Sequence, residues 1–198
     1  MIEEKNMTEH ESLALISSRI NKARNRFSED GFLYILWGWV ILICALTHFI
    51  SSYYYSYDGA YMVWMLSYAV VIFQIIYLIR RRKKEKVRTY TDDIIGYVWI
   101  TFAISTVLMV FVCVQFKAFN AMLPLLLVFY GIPIVLSGII LKFRALVIGG
   151  ICCWILSFVS TFVRLEFHML LIAVAISAGW LIPGYLLRIK YRKEVGVN

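Results

Sequence analysis

Two imidazoles and two carboxylates, His48, Asp58, Glu166 and His168, fall at similar depth beside the apolar segments of this chain. Such a donor set suits zinc, and the same groups serve general acid–base chemistry. Their spacing does not require them to converge. Arg164 is placed to pair with Glu166, and an imidazole at a helix end is well tolerated at a membrane interface. The set reads as interfacial hydrogen bonding, so no catalytic, cofactor-binding or metal residue is assigned and no cofactor is expected. Gly-x-Ser-x-Gly elbows, phosphate loops and His-Glu-x-x-His pairs are missing from the sequence. The cysteines Cys44, Cys113, Cys152 and Cys153 sit inside apolar runs without metal-ligand spacing, where thiols behave as small apolar groups. Charged residues are also missing from the middle of every apolar run, which argues against a relay built on an intramembrane carboxylate.

The elements that carry these residues are six hydrophobic runs, approximately 32–52, 60–79, 94–116, 121–141, 145–163 and 167–187. With 198 residues, 62% of them hydrophobic, the chain has too little interior to hide its apolar surface in water. Runs of about 20 residues fit the hydrocarbon layer of a bilayer. Of the 20 Lys and Arg residues, all but Lys117 and Arg164 lie in alternate connections. Basic residues stay cytoplasmic, so the expectation is an all-α membrane protein with six transmembrane helices and both termini inside. The formal charge of +8 then reports topology, with attraction to anionic lipid as a secondary effect, and nucleic acid is not an expected partner. The polar stretch before the first run argues against a cleavable signal.

Three parts complete the expected organisation: a cytoplasmic segment 1–31, a six-helix domain 32–187 and a basic tail 188–198. Within the first, residues 7–28 read as an amphipathic helix whose stripe is Leu13, Ile16, Ile20, Ala23 and Phe27. Thr8 and Glu11 fit a capping box, and Gly31 a stop. This helix lies on the inner membrane surface or docks on a partner or a second copy. The densest basic run, Arg80, Arg81, Arg82, Lys83 and Lys84, follows the second run and suits anionic lipid headgroups.

Pro133 and Pro183 should kink the fourth and sixth helices, because each removes a backbone donor. Gly149, Cys153, Ser157 and Thr161 recur every fourth residue and should let a neighbouring helix approach. Tyr53, Tyr54, Tyr55, Tyr57 and Tyr61 form an interfacial belt. The first, third and fifth runs each carry Gly and Trp near their starts (Gly38/Trp39, Gly96/Trp99, Gly150/Trp154), a faint three-hairpin repeat that ordinary interface chemistry also produces.

Three segments carry a family resemblance: Ser12–Ile16 continuing into Gly31–Trp39, Tyr130–Phe143 and Trp180–Leu187. Together they resemble small uncharacterised six-span inner-membrane proteins of Bacteroides-type bacteria, over nearly the whole chain. The resemblance implies a bacterial inner (plasma) membrane and brings no activity, ligand or site residue. The expected role is therefore a non-catalytic membrane component, a scaffold, sensor or regulator acting through partners. The alternatives are a channel or facilitator for water or a small neutral solute, and an intramembrane enzyme using the His48/His168 set.

Overall fold

A computed structural model describes residues 31–55, 57–84 and 90–195. The stripe Leu13, Ile16, Ile20, Ala23 and Phe27 lies outside the described residues. Among those residues the chain is all helical, without strands. The helices are α1 (Phe32–Tyr55), a 3-10 helix (Asp58–Trp64), α2 (Met65–Lys84), α3 (Tyr90–Gln115), α4 (Phe119–Ile140) and α5 (Arg144–Ser160). A short turn (Leu165–Phe167) then leads into α6 (His168–Ile176), a π-turn (Ser177–Leu181) and α7 (Ile182–Val195), which run on as one rod. These helices coincide with the six hydrophobic runs. Among the described residues five stretches are long and apolar enough to cross a membrane, while α5, with 17 residues, is a shorter apolar helix.

The core lies where α1, α4, α5 and the final rod meet. Leu127, Ile134, Cys153 and Ile176 interlock there at 1% exposure or less. The peripheral helices differ sharply from this. None of the apolar span of α2 is buried within the molecule, against 56% of the final rod. Helix α2 packs on α1 and the 3-10 helix, and α3 packs along α4. In lipid the outward apolar surface needs no protein cover, so packing and polar contacts decide which helices touch.

Glycine sets the closest approaches. A methyl on Gly149 would meet the Ala178 carbonyl oxygen at 2.7 Å, and one on Gly138 would meet the Val147 amide nitrogen at 2.7 Å. The expected small-residue face is therefore present at Gly149, Cys153 and Ser157, all buried. Thr161 is exposed instead, because α5 ends at Ser160 and the chain turns away. At the start of α1, Gly31 has a φ of +60°, and a Cβ there would overlap the Gly184 carbonyl oxygen.

Prolines act less simply than their spacing suggests. Helix α4 continues through both Pro124 and Pro133. At Pro183 the irregularity appears as the π-turn that ends just before it, a wide turn that absorbs the missing amide bond. Both ends of α4 are bounded by matching turns. Ala118 donates to the Cys113 carbonyl and Phe143 to the Gly138 carbonyl, each at 2.8 Å, with Lys117 (φ 52°) and Lys142 (φ 51°) at the left-handed position. These are Schellman caps with lysine where glycine is usual, and the ammonium favours the negative end of the preceding helix.

Candidate functional site

The histidine end is assembled first by aromatic contact. Phe167 lies 6.3 Å from Phe49 and 6.0 Å from Tyr53, which brings the end of α1 beside the turn before α6. His48 and His168 thus occupy the same end of the bundle, but each is engaged separately. Trp64 Nε1 donates to His48 Nδ1 at 2.8 Å, which leaves the His48 proton on Nε2. His168 is buried, with Nε2 at 3.2 Å from the carbonyl oxygens of both Ser160 and Val163. A nitrogen between two acceptors carries the proton, so His168 closes the C-terminal end of α5. Glu166 pairs with Arg164 at 3.1 Å, an exposed contact of small energetic weight. The Asp58 side chain lies outside the described residues. Among the described residues no three His, Cys, Asp or Glu side chains come together as a metal site.

The opposite end collects the cations. Arg80, Arg81 and Lys83 extend from α2, Lys142 and Arg144 flank the α4–α5 turn, and Arg188, Lys190, Arg192 and Lys193 continue along α7. Lys190 Nζ stands 5.9 Å from the centre of the Phe143 ring, which ties the tail to that turn. Arg81 donates to the Tyr77 hydroxyl at 3.3 Å. The side chains of Arg82 and Lys84 lie outside the described residues. Cations gathered at the ends of adjacent helices provide the chemistry that binds lipid phosphates.

Between these ends sits a constellation that the sequence reading did not single out. Trp180, on the π-turn, is 5% exposed and is surrounded by four other aromatic rings. Trp99 lies 5.5 Å away, Tyr130 5.7 Å, Trp37 6.3 Å and Tyr34 6.5 Å, all at interplanar angles of 77° or more. Edge-to-face pairs of this kind contribute about 0.5–1.5 kcal/mol each beyond burial. Phe102 extends the group, 5.6 Å from Trp99 and 5.2 Å from Tyr130. The indole of Trp37 donates to the Gln74 side-chain oxygen and so anchors α2 to the same cluster. Trp180 Nε1 has no hydrogen-bond partner among the described residues. Leaving a buried donor unmatched costs about 1–3 kcal/mol.

A spacing signal for this cluster does exist. On α3, Ile95, Trp99, Phe102, Thr106, Met109 and Cys113 follow alternating steps of four and three residues, which is one seam of a helix. All of them are buried or half-buried, while Tyr97, Ile104 and Phe111 on the other side are exposed. The tryptophans of the faint repeat, by contrast, have unlike surroundings. Trp39 is exposed and donates to the Tyr185 hydroxyl at 3.0 Å, Trp99 joins the cluster, and Trp154 donates to the Val128 carbonyl at 3.2 Å.

Comparison of the chain with protein-family models, with curated proteins and with solved structures finds no match.

Proposed function

We propose that this chain is a non-catalytic integral membrane protein, a scaffold or regulatory component that acts through contacts with partners. The supporting observation is the contrast between a closed, uncharged centre and a periphery left open. Leu127, Ile134, Cys153 and Ile176 fill the middle of the bundle, whereas the apolar span of α2 has no fully buried residue and exposes Ile72, Ile75, Ile76 and Ile79. Such a centre serves packing, and it offers no support to a facilitator that needs a wetted path. We further read six spans, with the basic end and both termini on the cytoplasmic side of a bacterial inner membrane. The alternating charge and the resemblance support that reading. Helix α5 is the short member of the set, with its basic flank at Lys142 and Arg144.

Photo-crosslinking in native membranes tests the role. Probes at Leu13, Ile16 or Ile20, and at Ile72 on the exposed face of α2, should each give a discrete protein adduct. Polar substitutions at the same positions that leave every complex unchanged would sink the proposal. Cysteine labelling at Tyr54 and at Lys193, with an impermeant reagent, tests the orientation separately: Tyr54 should react from outside and Lys193 only after permeabilisation.

A further inference from the structure

The cations of the basic end fall into two groups with different mountings. Arg80, Arg81 and Lys83 extend from the peripheral helix α2, and Glu85, Asp92 and Asp93 follow them closely in the chain. The second group stands on the core. Leu141 and Phe143 pack against the central apolar cluster, and Leu187 of α7 is a buried member of it. Lys142 and Arg144 flank Phe143, while Lys190, three residues beyond Leu187, holds its Nζ 5.9 Å from the centre of the Phe143 ring. Lys193 follows one turn later on the same side of α7. All four cations are exposed. Their backbone is fixed as well, since the Phe143 amide closes on the Gly138 carbonyl at 2.8 Å with Lys142 at a φ of 51°.

Carboxylates avoid this corner. No Asp or Glu occurs in the sequence between Asp93 and Glu166, a stretch that includes all of α4 and α5. In the tail Glu194 is the one acidic residue, and its side chain lies outside the described residues. Four cations against at most one carboxylate leave an excess of positive charge, which calls for an anionic occupant.

An apolar ridge narrows the class of anion. Arg144, Ile148, Ile151, Ile155 and Phe158 follow steps of four, three, four and three residues, so they share one face of α5. Every one of them is exposed. The cation at the head of the ridge and the apolar side chains below it suit a molecule with a charged head and hydrocarbon tails. A soluble acidic partner or a free phosphate would use the cations alone. One singly charged phosphate is balanced by one or two cations, whereas four cations on both sides of a ring match two phosphates.

We infer that the corner between the α4–α5 turn and α7 binds a phospholipid with two phosphates in one headgroup, the chemistry of a diphosphatidylglycerol. One phosphate lies by Lys142 and Arg144, the other by Lys190 and Lys193, and acyl chains run along the α5 ridge. The site requires the basic end to lie at a bilayer surface. It depends neither on which side of the membrane that end faces nor on the partner-binding role.

Native mass spectrometry of the full chain in neutral detergent, titrated with diphosphatidylglycerol, provides the test. One lipid per chain should be retained saturably, at least about tenfold more tightly than phosphatidylglycerol at matched phosphate. Lys142→Gln, Arg144→Gln and Lys190→Gln combined should weaken retention at least about tenfold, whereas Arg80→Gln, Arg81→Gln and Lys83→Gln combined should leave it within about twofold. Pyrophosphate, with two phosphates and no chains, should displace the lipid from the unaltered protein no better than chloride of equal ionic strength. That comparison does not depend on any variant folding. Retention that never saturates, or an equal loss in the two triple variants, overturns the site. Equal affinity for phosphatidylglycerol overturns the two-phosphate headgroup, and displacement by pyrophosphate beyond the chloride control overturns a lipid as the occupant.

Discussion

Along α5, Gly149 and Gly150 let the backbones of the π-turn and α4 close in directly, while α3 meets the same π-turn through a side chain, the Trp99 ring against Trp180. Both seams lie within the membrane-length part of the bundle, and both are apolar. They differ in what sets the distance between helices. In the glycine seam a main-chain atom is the wall, so the spacing has no slack. In the ring seam the spacing is set by side-chain rotamers, and a helix can shift by rotating a ring. Rigidity in this molecule is therefore local, concentrated on one side of the final rod.

The largest expected effect comes from removing the ring at the centre of the second seam. Trp180→Ala should lower stability by about 3–5 kcal/mol, read as the shift of a reversible unfolding curve in mixed micelles. It should also free α3, so that an amide-exchange experiment finds Ile95–Cys113 less protected than Leu146–Ser157. Uniform loss across both segments would mean that the seams are not separate. Next comes Gly149→Val, with an expected loss of about 2 kcal/mol from overpacking against the Ala178 carbonyl. A neutral outcome there would show that the glycine seam has slack and remove the contrast.

Gly96 sharpens the comparison from the other side. Nothing lies within 4 Å of a methyl at that position on α3. Gly96→Ala should stabilise by about 0.5–1 kcal/mol, since it removes unfolded-state freedom without a clash. Thermal melts of the two glycine variants measured together should move in opposite directions. The smallest effect is expected at Ser157, whose hydroxyl donates to the Pro124 carbonyl at 2.7 Å across the α4–α5 interface. Ser157→Ala should cost about 0.6 kcal/mol, in line with hydrogen bonds between membrane helices, and a double-mutant cycle with Gly149→Val, two turns away and against a different partner, should be additive.

The helices were legible in the sequence because apolar length is a one-dimensional signal. Gly149, Cys153 and Ser157 were legible too, since a four-residue step marks one helix face wherever the partner lies. The partner itself was not legible: nothing in the spacing says that Gly149 meets Ala178. Lys142 at a left-handed φ was also hidden, because glycine is the residue that announces such a turn. Trp180 was missed for a related reason. Its neighbours Trp37, Trp99 and Tyr130 come from three other helices, and only the tertiary arrangement makes them a group. The seam on α3 was readable in principle as a four-three alternation, but near-uniform hydrophobicity on both faces masks that pattern in a membrane helix.

The short α5 has a consequence outside the protein. Its 17 residues make a rod about 26 Å long, whereas the 24 residues of α1 extend about 36 Å. Ile148, Ile151, Ile155 and Phe158 carry its apolar surface outward, bounded by Lys142 and Arg144 at one end and Arg164 at the other. On the six-span reading proposed above, hydrocarbon that meets this flank would thin by several ångströms, at a fraction of a kcal/mol per ångström, while hydrocarbon beside α1 would not. The perimeter would then impose a gradient of bilayer thickness that favours shorter or more disordered lipid beside α5.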